Sequence, residues 1–192
     1  MDNHSQILES PTNRFRLKPH ELVALKKMRE TEARNILVIG DLHEPFCLDG
    51  YLDFCLEQYE TYNCNQVIFI GDILDNHAFS YHEPDPDGMS AGLELEKTIE
   101  KVAKWYKAFE DVHVDVCIGN HDRLASRKSF SGGIPKAWLK SYNEVLGTPN
   151  WNWVESVMYD DVLFEHGEGG QAQAKAKNNL MSSVCGHTHT EA

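Results

Sequence analysis

Short apolar runs rich in β-branched residues alternate with longer amphipathic stretches from residue 35 onward, a pattern typical of layered α/β proteins. The apolar runs predict six strands: Ile36–Ile39, Val67–Ile70, Val112–Ile118, Val154–Tyr159, Val162–Glu165 and Ser182–Cys185. The amphipathic stretches predict four helices: Leu48–Thr61, Ala91–Glu110, Pro135–Leu146 and Gln171–Met181. Asp160-Asp161, between two apolar runs, predicts a hairpin turn.

Residues 1–34 are polar and follow a different pattern. Leu22, Leu25, Lys26 and Arg29 recur at helical spacing, which predicts a helix over Pro19–Arg34. We therefore expect an N-terminal extension over residues 1–34 and one globular domain over residues 35–192.

A side chain able to bind a metal follows five of the predicted strands, usually beside a glycine. The segments are Gly40-Asp41-Leu42-His43, Gly71-Asp72, Gly119-Asn120-His121-Asp122, His166-Gly167 and Gly186-His187-Thr188-His189. Ligand sites gather at strand C-termini in open α/β sheets, and glycine lets backbone and ion approach closely. The sequence therefore predicts one shared site at the strand ends.

Each of these segments has an ordinary structural interpretation when it is taken alone. Gly71-Asp72 is most often a turn or a helix cap, and a single histidine such as His166 is most often a half-buried hydrogen-bonding group. Asp41-Leu42-His43 places two side chains on the same side of an extended chain, but such triplets are common. His187 and His189 are more specific, because two imidazoles two residues apart at a strand end rarely serve packing.

The order DxH, GD, GNHD, H and GHxH, each after a predicted strand, resembles the calcineurin-like metallophosphoesterase family over residues 35–192. The resemblance implies a metallophosphoesterase catalytic domain with an α/β fold, a four-layer α/β/β/α sandwich of two mixed sheets. It also implies metal-dependent hydrolysis of phosphoester bonds.

The resemblance also implies a ligand set for two divalent metal ions. Asp41, His43 and His189 would hold the first metal, Asn120, His166 and His187 the second, and Asp72 would bridge them. Mixed imidazole, carboxylate and amide ligands favour Mn, Fe, Zn or Co over Ca or Mg, and Mn is our first expectation. Two such ions clamp a phosphoryl group and activate a water molecule for attack on phosphorus.

His121 follows the predicted ligand Asn120 and is left free to reach the substrate. We predict that it acts as general acid or as electrostatic partner of the leaving group. In related enzymes a carboxylate orients such a histidine, and the family pattern favours Asp75, although Asp122 is nearer in sequence. Asn76 stands where protein phosphatases of the superfamily have a phosphate-gripping arginine, which makes a phosphoprotein substrate a poor match.

The charge and composition narrow the classes of partner. The formal net charge is −12 at pH 7, which disfavours a general nucleic-acid-binding module. No apolar run is long enough to cross a bilayer and no signal-peptide pattern opens the sequence, so we expect a cytoplasmic protein without a membrane partner. The cysteines are five in number and show no CxxC pair, which favours reduced thiols.

Substrate preference rests on two segments of opposite charge. Between Arg123 and Asn143 the charged residues are all cationic and are interleaved with Phe130, Trp138 and Tyr142, which either pack inward or stack on bases. The stretch from His82 to Glu96 is acidic and would repel a polyanion. A small phosphomonoester or phosphodiester such as a nucleotide is therefore the expected substrate. The alternatives are a metal-dependent nuclease and a catalytically silent metallo-domain used in assembly.

The sequence stops at Thr190-Glu191-Ala192, directly after the last predicted ligand. Relatives generally continue with strands that complete the second sheet, so we expect a truncated chain or one piece of a split protein. An open sheet edge at that point would favour self-association or pairing with a complementing chain, and would leave the His189 site weakly held.

Overall fold

The computed structural model describes residues 18–20, 34–83, 85–168 and 172–189. The chain separates into two compact units, residues 1–34 and 35–192. Most of the predicted helix Pro19–Arg34 lies outside the described residues.

The first sheet contains β1 (Ile36–Ile39), β2 (Gln66–Phe69), β3 (His113–Cys117) and β4 (Asn152–Val154). The strands lie in the order β1-β2-β3-β4 and every pairing between them is parallel. β2 is buried along its whole length, as expected for a central parallel strand covered on both faces. This sheet is purely parallel where a mixed sheet was expected.

The second sheet contains β5 (Ser156–Tyr159), β6 (Val162–Glu165) and β7 (Ser182–Cys185), in that order. β5 and β6 form an antiparallel hairpin, and β6 pairs with β7 in parallel. Asp160 and Asp161 both have positive φ angles, 49° and 64°, which is the backbone of a tight two-residue turn. The predicted hairpin is therefore confirmed, and this sheet is mixed as expected.

The described part of the domain contains five α-helices: α1 (Tyr51–Thr61), α2 (Ala91–Ala108), α3 (Leu124–Ser131), α4 (Tyr142–Leu146) and α5 (Ala172–Asn179). Short 3₁₀ turns occur at His77–Phe79 and Lys136–Trp138. The Ser90 hydroxyl accepts a hydrogen bond from Leu93 N and so begins α2, and a capping box of Ser141 and Glu144 begins α4.

Alternate residues of β2 face two separate hydrophobic clusters. Val67 and Phe69 pack with Val102 and Trp105 of α2, on the helical side of the first sheet. Ile68 and Ile70 pack with Phe164 of β6, between the two sheets. This alternation shows that the layers lie in the order helices, first sheet and second sheet. α5 lies beside β7, and the fourth layer of the sandwich remains a prediction.

Two predicted elements are divided in the structure. The predicted strand Val154–Tyr159 is two strands in different sheets, because the chain leaves the first sheet after β4 and enters the second at β5. The predicted helix Pro135–Leu146 is a 3₁₀ turn followed by α4, because Ser141 adopts an extended backbone as the helix cap.

Helix α3 was not predicted at all, since its polar sequence has little apolar periodicity. No helix in the described ranges has the length and apolar character needed to span a membrane. All five cysteines are free thiols.

Candidate metal centre

The seven predicted ligands follow strands from both sheets. Asp41 and His43 follow β1, Asp72 follows β2 and Asn120 follows β3. His166 follows β6, and His187 and His189 follow β7. The C-terminal ends of strands from both sheets therefore face a common region.

Asp41, His43 and His189 form one cluster, in which one donor atom from each lies within 4.8 Å of the others. Asp41 Oδ2 lies 2.8 Å from His189 Nε2 and also accepts a hydrogen bond of 2.8 Å from the backbone N–H of His187. The His43 and His189 rings meet edge to face at 5.4 Å. This is the set predicted for the first metal.

Asp72, His166 and His187 form a second cluster within the same 4.8 Å limit. Asn120 joins it, because Asn120 Oδ1 lies 2.9 Å from His166 Nε2. Asp72 and His166 are buried in this cluster, whereas His187 is half-buried. This is the set predicted for the second metal, together with the predicted bridge.

Asp72 lies between the two clusters. Its Oδ2 is 3.0 Å from His166 Nε2 and 3.9 Å from His43 Nε2. Its Oδ1 accepts a hydrogen bond of 2.8 Å from the His121 backbone N–H, which fixes the carboxylate plane. One carboxylate oxygen thus lies within 4 Å of a predicted ligand atom of each metal.

Two of the predicted histidine ligands are oriented by a hydrogen bond at Nδ1. His43 Nδ1 donates to Asp75 Oδ1 at 2.8 Å, and His166 Nδ1 donates to the Ile70 carbonyl at 3.0 Å. Because Nδ1 of each ring donates in this way, Nε2 is the ring atom that would bind a metal.

Two ligand atoms fit a metal because nothing else in the described chain satisfies them. Asp41 Oδ1 and His43 Nε2 are buried and have no hydrogen-bond partner. Buried polar atoms in proteins are almost always paired, and an ion is one of the usual reasons for an exception. The mixture of carboxylate, imidazole and amide donors suits a first-row transition metal.

The local charges also favour cations at this position. The hydrogen bond to Asp75 raises the pKa of His43, although burial lowers it, and the Asp72 charge adds to the increase. Burial lowers the pKa of His166, but the hydrogen bond and charge of Asp72 outweigh it, so that pKa is raised as well. Both imidazoles therefore sit in a negative field that a divalent ion would neutralise.

The backbone is strained at the site. Of the ten described non-glycine residues with positive φ, five are predicted ligands: Asp41, His43, Asp72, His187 and His189. Each such residue costs about 1–3 kcal/mol and persists where the surroundings fix it, commonly at functional sites.

Two glycines make room for the predicted ligands. A Cβ at Gly119 would collide with the carboxylate and the backbone N of Asp72. A Cβ at Gly71, whose φ is 107°, would meet His166 Nδ1 at 2.5 Å. Gly71 and Gly119 therefore let the predicted ligands approach the backbone closely, and Gly71 also adopts a positive φ that favours glycine.

His121 lies beside these clusters, with its ring 4.6 Å from that of His43. Its Nδ1 donates a 2.6 Å hydrogen bond to the backbone carbonyl of Asp75 and is 3.8 Å from the Asp75 carboxylate. Asp75 thus orients His121 mainly through its main chain, while its carboxylate orients His43. The family pattern predicts the Asp75 carboxylate as the partner of His121, whereas in the structure its hydrogen bond is with His43.

Asp122 has a positioning role that the sequence did not reveal. Its fully buried carboxylate accepts backbone hydrogen bonds from Asp72 at 2.9 Å, Leu74 at 3.0 Å and Gly119 at 2.8 Å. Burial raises its pKa to about 6, with Asp72 adding to the increase and the backbone hydrogen bonds opposing it. The carboxylate ties the loop after β2 to the loop after β3, and the only available signal was its place in the GNHD motif.

A sequence model of the family described as calcineurin-like phosphoesterase matches residues 34–183. The chain belongs to this family. Its members are metal-dependent hydrolases of phosphoesters, typically with two metals, and the clusters above supply candidate ligands. No curated protein matches the chain. The segment matched by the family includes Asp41, Asp72, Asn120 and His166, while His187 and His189 follow it.

Proposed function

We propose that this calcineurin-like phosphoesterase hydrolyses a small phosphomonoester or phosphodiester, such as a nucleotide, with two divalent metals, Mn first among Mn, Fe, Zn and Co. Asp41, His43 and His189 would hold one metal, Asn120, His166 and His187 the other, and Asp72 both. The observation that carries the proposal is the pair of buried, unpartnered ligand atoms, Asp41 Oδ1 and His43 Nε2, within these clusters.

The metals would polarise the phosphoryl oxygens and lower the pKa of a bound water. The protein's own contribution is to hold seven donors in place without substrate. Backbone N–H groups of His187 and His121 fix the carboxylates of Asp41 and Asp72. Because the donors are already ordered, little reorganisation is needed when charge develops on the phosphoryl group.

His121 would protonate the leaving oxygen. Its Nδ1 proton is committed to the Asp75 carbonyl, so Nε2 is the atom that holds and donates the transferred proton. The side chain is half-buried rather than enclosed, as a group that must reach a substrate requires.

Asn76 supports a substrate other than a phosphoprotein. Its buried side chain donates a 2.9 Å hydrogen bond to the His121 carbonyl, so it braces the loop that carries the proposed acid. A short neutral side chain used in this way does not grip a phosphate as an arginine would.

The proposal is tested by loading the protein with Mn, measuring metal content, and assaying a panel of phosphate monoesters and diesters. Two metals per chain and turnover of at least one class are expected. Two bound metals without turnover of any phosphoester would instead support a silent metallo-domain. Absence of metal binding would refute the proposal.

A further inference from the structure

A surface formed by segments that follow His121 and Asp75 in the sequence combines exposed aromatic rings with cations. We call it the basic aromatic arm and define it as Tyr81, Arg127, Lys128, Phe130, Lys136 and Trp138. Phe130 and Trp138 are 85% and 81% exposed, more than any other aromatic side chain in the described residues. Tyr142, by contrast, packs inward and stacks on Trp153. Phe130 and Trp138, the two most exposed rings, therefore do not pack inward.

The arm is a compact local unit. Phe130 lies near the end of α3 and Trp138 at the end of the following 3₁₀ turn. The Ile134 N–H donates a 2.9 Å hydrogen bond to the Ser129 carbonyl, and the 3₁₀ turn packs back against α3. The two rings are thus held on one short, folded segment.

Two loops that leave the candidate metal centre meet at the arm. α3 begins three residues after His121, and Tyr81 follows Asp75 by six residues. Lys128 Nζ donates to the Ser80 carbonyl at 3.2 Å and lies 4.2 Å from the centre of the Tyr81 ring. Arg127 also lies over Tyr81, at 5.1 Å. The arm is therefore joined to the candidate site through the two segments that follow His121 and Asp75.

The charge of the arm is opposite to that of the whole chain. Residues 123–143 contain five cations and no carboxylate, whereas the net charge of the protein is −12. Arg123 is paired with Glu155 and Glu168, so the positive character of the arm comes from the cations beyond it. In the neighbouring acidic stretch, Glu94 is buried and accepts the amides of His77 and Ala78, which removes one charge from its surface.

We propose that the basic aromatic arm binds single-stranded nucleic acid and leads its phosphodiester chain to the metal centre. Bases would stack on Phe130 and Trp138, while Arg127, Lys128 and Lys136 contact phosphates. Stacking requires unpaired bases, because the base faces of a duplex are covered. Aromatic rings and arginine are also frequent in protein interfaces, but lysine is depleted there, and a surface with three cations and no carboxylate favours a polyanion. The reaction at the end of this track rests on the proposed function.

The direct test uses a fluorescent phosphorothioate oligo(dT) of about 12 nucleotides. Its binding to the metal-loaded protein is measured by fluorescence anisotropy. Phe130→Ala and Trp138→Ala should each weaken binding by about 5- to 100-fold, as loss of one stacking platform does. Tyr62→Ala is the matched control, because Tyr62 is 66% exposed but lies beyond the arm, after α1. It should bind as the unaltered protein does.

The salt dependence supplies a second readout. Lys136→Gln should reduce the slope of log affinity against log salt by about 0.7, the value for one phosphate contact on a single strand. Lys107→Gln, an exposed change on α2, should leave the slope unchanged. An oligo(U) of equal length tests whether binding depends on the sugar. Binding of either oligo(dT) or oligo(U) supports the proposal, because stacking on the bases does not involve the 2′-hydroxyl.

Several results would overturn the proposal. One is equal affinity for duplex and single-stranded oligonucleotides. Another is unchanged oligonucleotide binding in both aromatic variants. A third is self-association of the protein that these variants abolish while oligonucleotide binding stays the same. Hydrolysis of bis(nitrophenyl) phosphate should be the same in arm variants and unaltered protein. If that hydrolysis occurs but the arm variants bind normally, only the arm proposal fails. If the arm binds oligonucleotide but no ester is cleaved, only the proposed function fails.

Discussion

The two sheets differ in how deeply they are buried and in the side chains that follow their strands. The central strands of the first sheet are almost wholly buried, and the loops after its strands carry Asp41, Asp72 and Asn120. The strands of the second sheet are only partly buried and precede His166 and the His187–His189 pair. Oxygen donors thus come mainly from the more buried sheet, and imidazoles mainly from the more open one.

This division has a physical basis. A buried carboxylate without partners is very costly, so its position must be fixed by several donors. Asp72 meets that need with a backbone N–H and His166, and Asp41 with a backbone N–H and His189. A neutral imidazole costs less to desolvate than a carboxylate, so fewer partners are needed to hold it. Since each carboxylate contacts a residue of the other sheet, the candidate centre joins the two sheets.

The largest effect is expected for Asp72→Asn. A neutral amide bridges two cations poorly, so turnover should be abolished and metal content should fall at both positions. Elemental analysis and assay of the purified variant measure both. Asp115→Asn is the matched control, since Asp115 is a fully buried carboxylate of the same sheet that binds Gln66, Asn152 and Tyr159. It should keep its metals, and two metals per chain in Asp72→Asn would contradict the bridging role.

His121→Ala tests a residue that follows β3 of the first sheet and is not a predicted ligand. Turnover of alkyl phosphoesters should fall by about 10²–10⁴-fold, because a general acid is lost, while metal content stays nearly intact. Nitrophenyl esters should lose much less, because nitrophenolate leaves without protonation. Equal losses on both ester types would leave charge stabilisation as the only role of His121.

Asp75→Asn separates two roles of one residue. The substitution removes the carboxylate that orients His43 but keeps the carbonyl that binds His121. Metal affinity should fall by about 10–100-fold, as for other outer partners of metal-binding histidines. Titration with Mn measures the affinity, with the exposed Asp161→Asn as control. A loss of turnover at saturating metal, with unchanged affinity, would instead assign the carboxylate to His121.

The smallest effect is expected for Gly119→Ala, which crowds the more buried sheet at its C-terminal edge. The added Cβ would press on the Asp72 carboxylate and backbone, and we expect a loss of about 1–3 kcal/mol in the free energy of unfolding. Urea denaturation measures it. Gly92→Ala, on α2 with open space around the new Cβ, should stabilise by about 0.4–1 kcal/mol. Equal stabilities for the two variants would show that the Asp72 loop yields to the new methyl group.

The bounds of three strands, one in the first sheet and two in the second, were predictable, because each is a short run with clear boundaries. Ile36–Ile39, Val162–Glu165 and Ser182–Cys185 have the same bounds in sequence and structure. The segment Val154–Tyr159 was not, since an alternating pattern shows which side chains turn inward but not which sheet they enter. Helix α3 could not be predicted, because only one of its residues, Leu124, is buried and the rest give no apolar periodicity.

The sequence alone determined the identity of the candidate donors and their order along the chain, because each follows an apolar run and most stand beside glycine. It could not determine their partners. Only the tertiary structure decided that the Asp75 carboxylate is hydrogen-bonded to His43 rather than to His121, that Asp122 accepts three backbone hydrogen bonds, and that Phe130 and Trp138 face solvent. Those outcomes depend on how two sheets and their loops meet across long sequence separations, and local periodicity carries no information about such contacts.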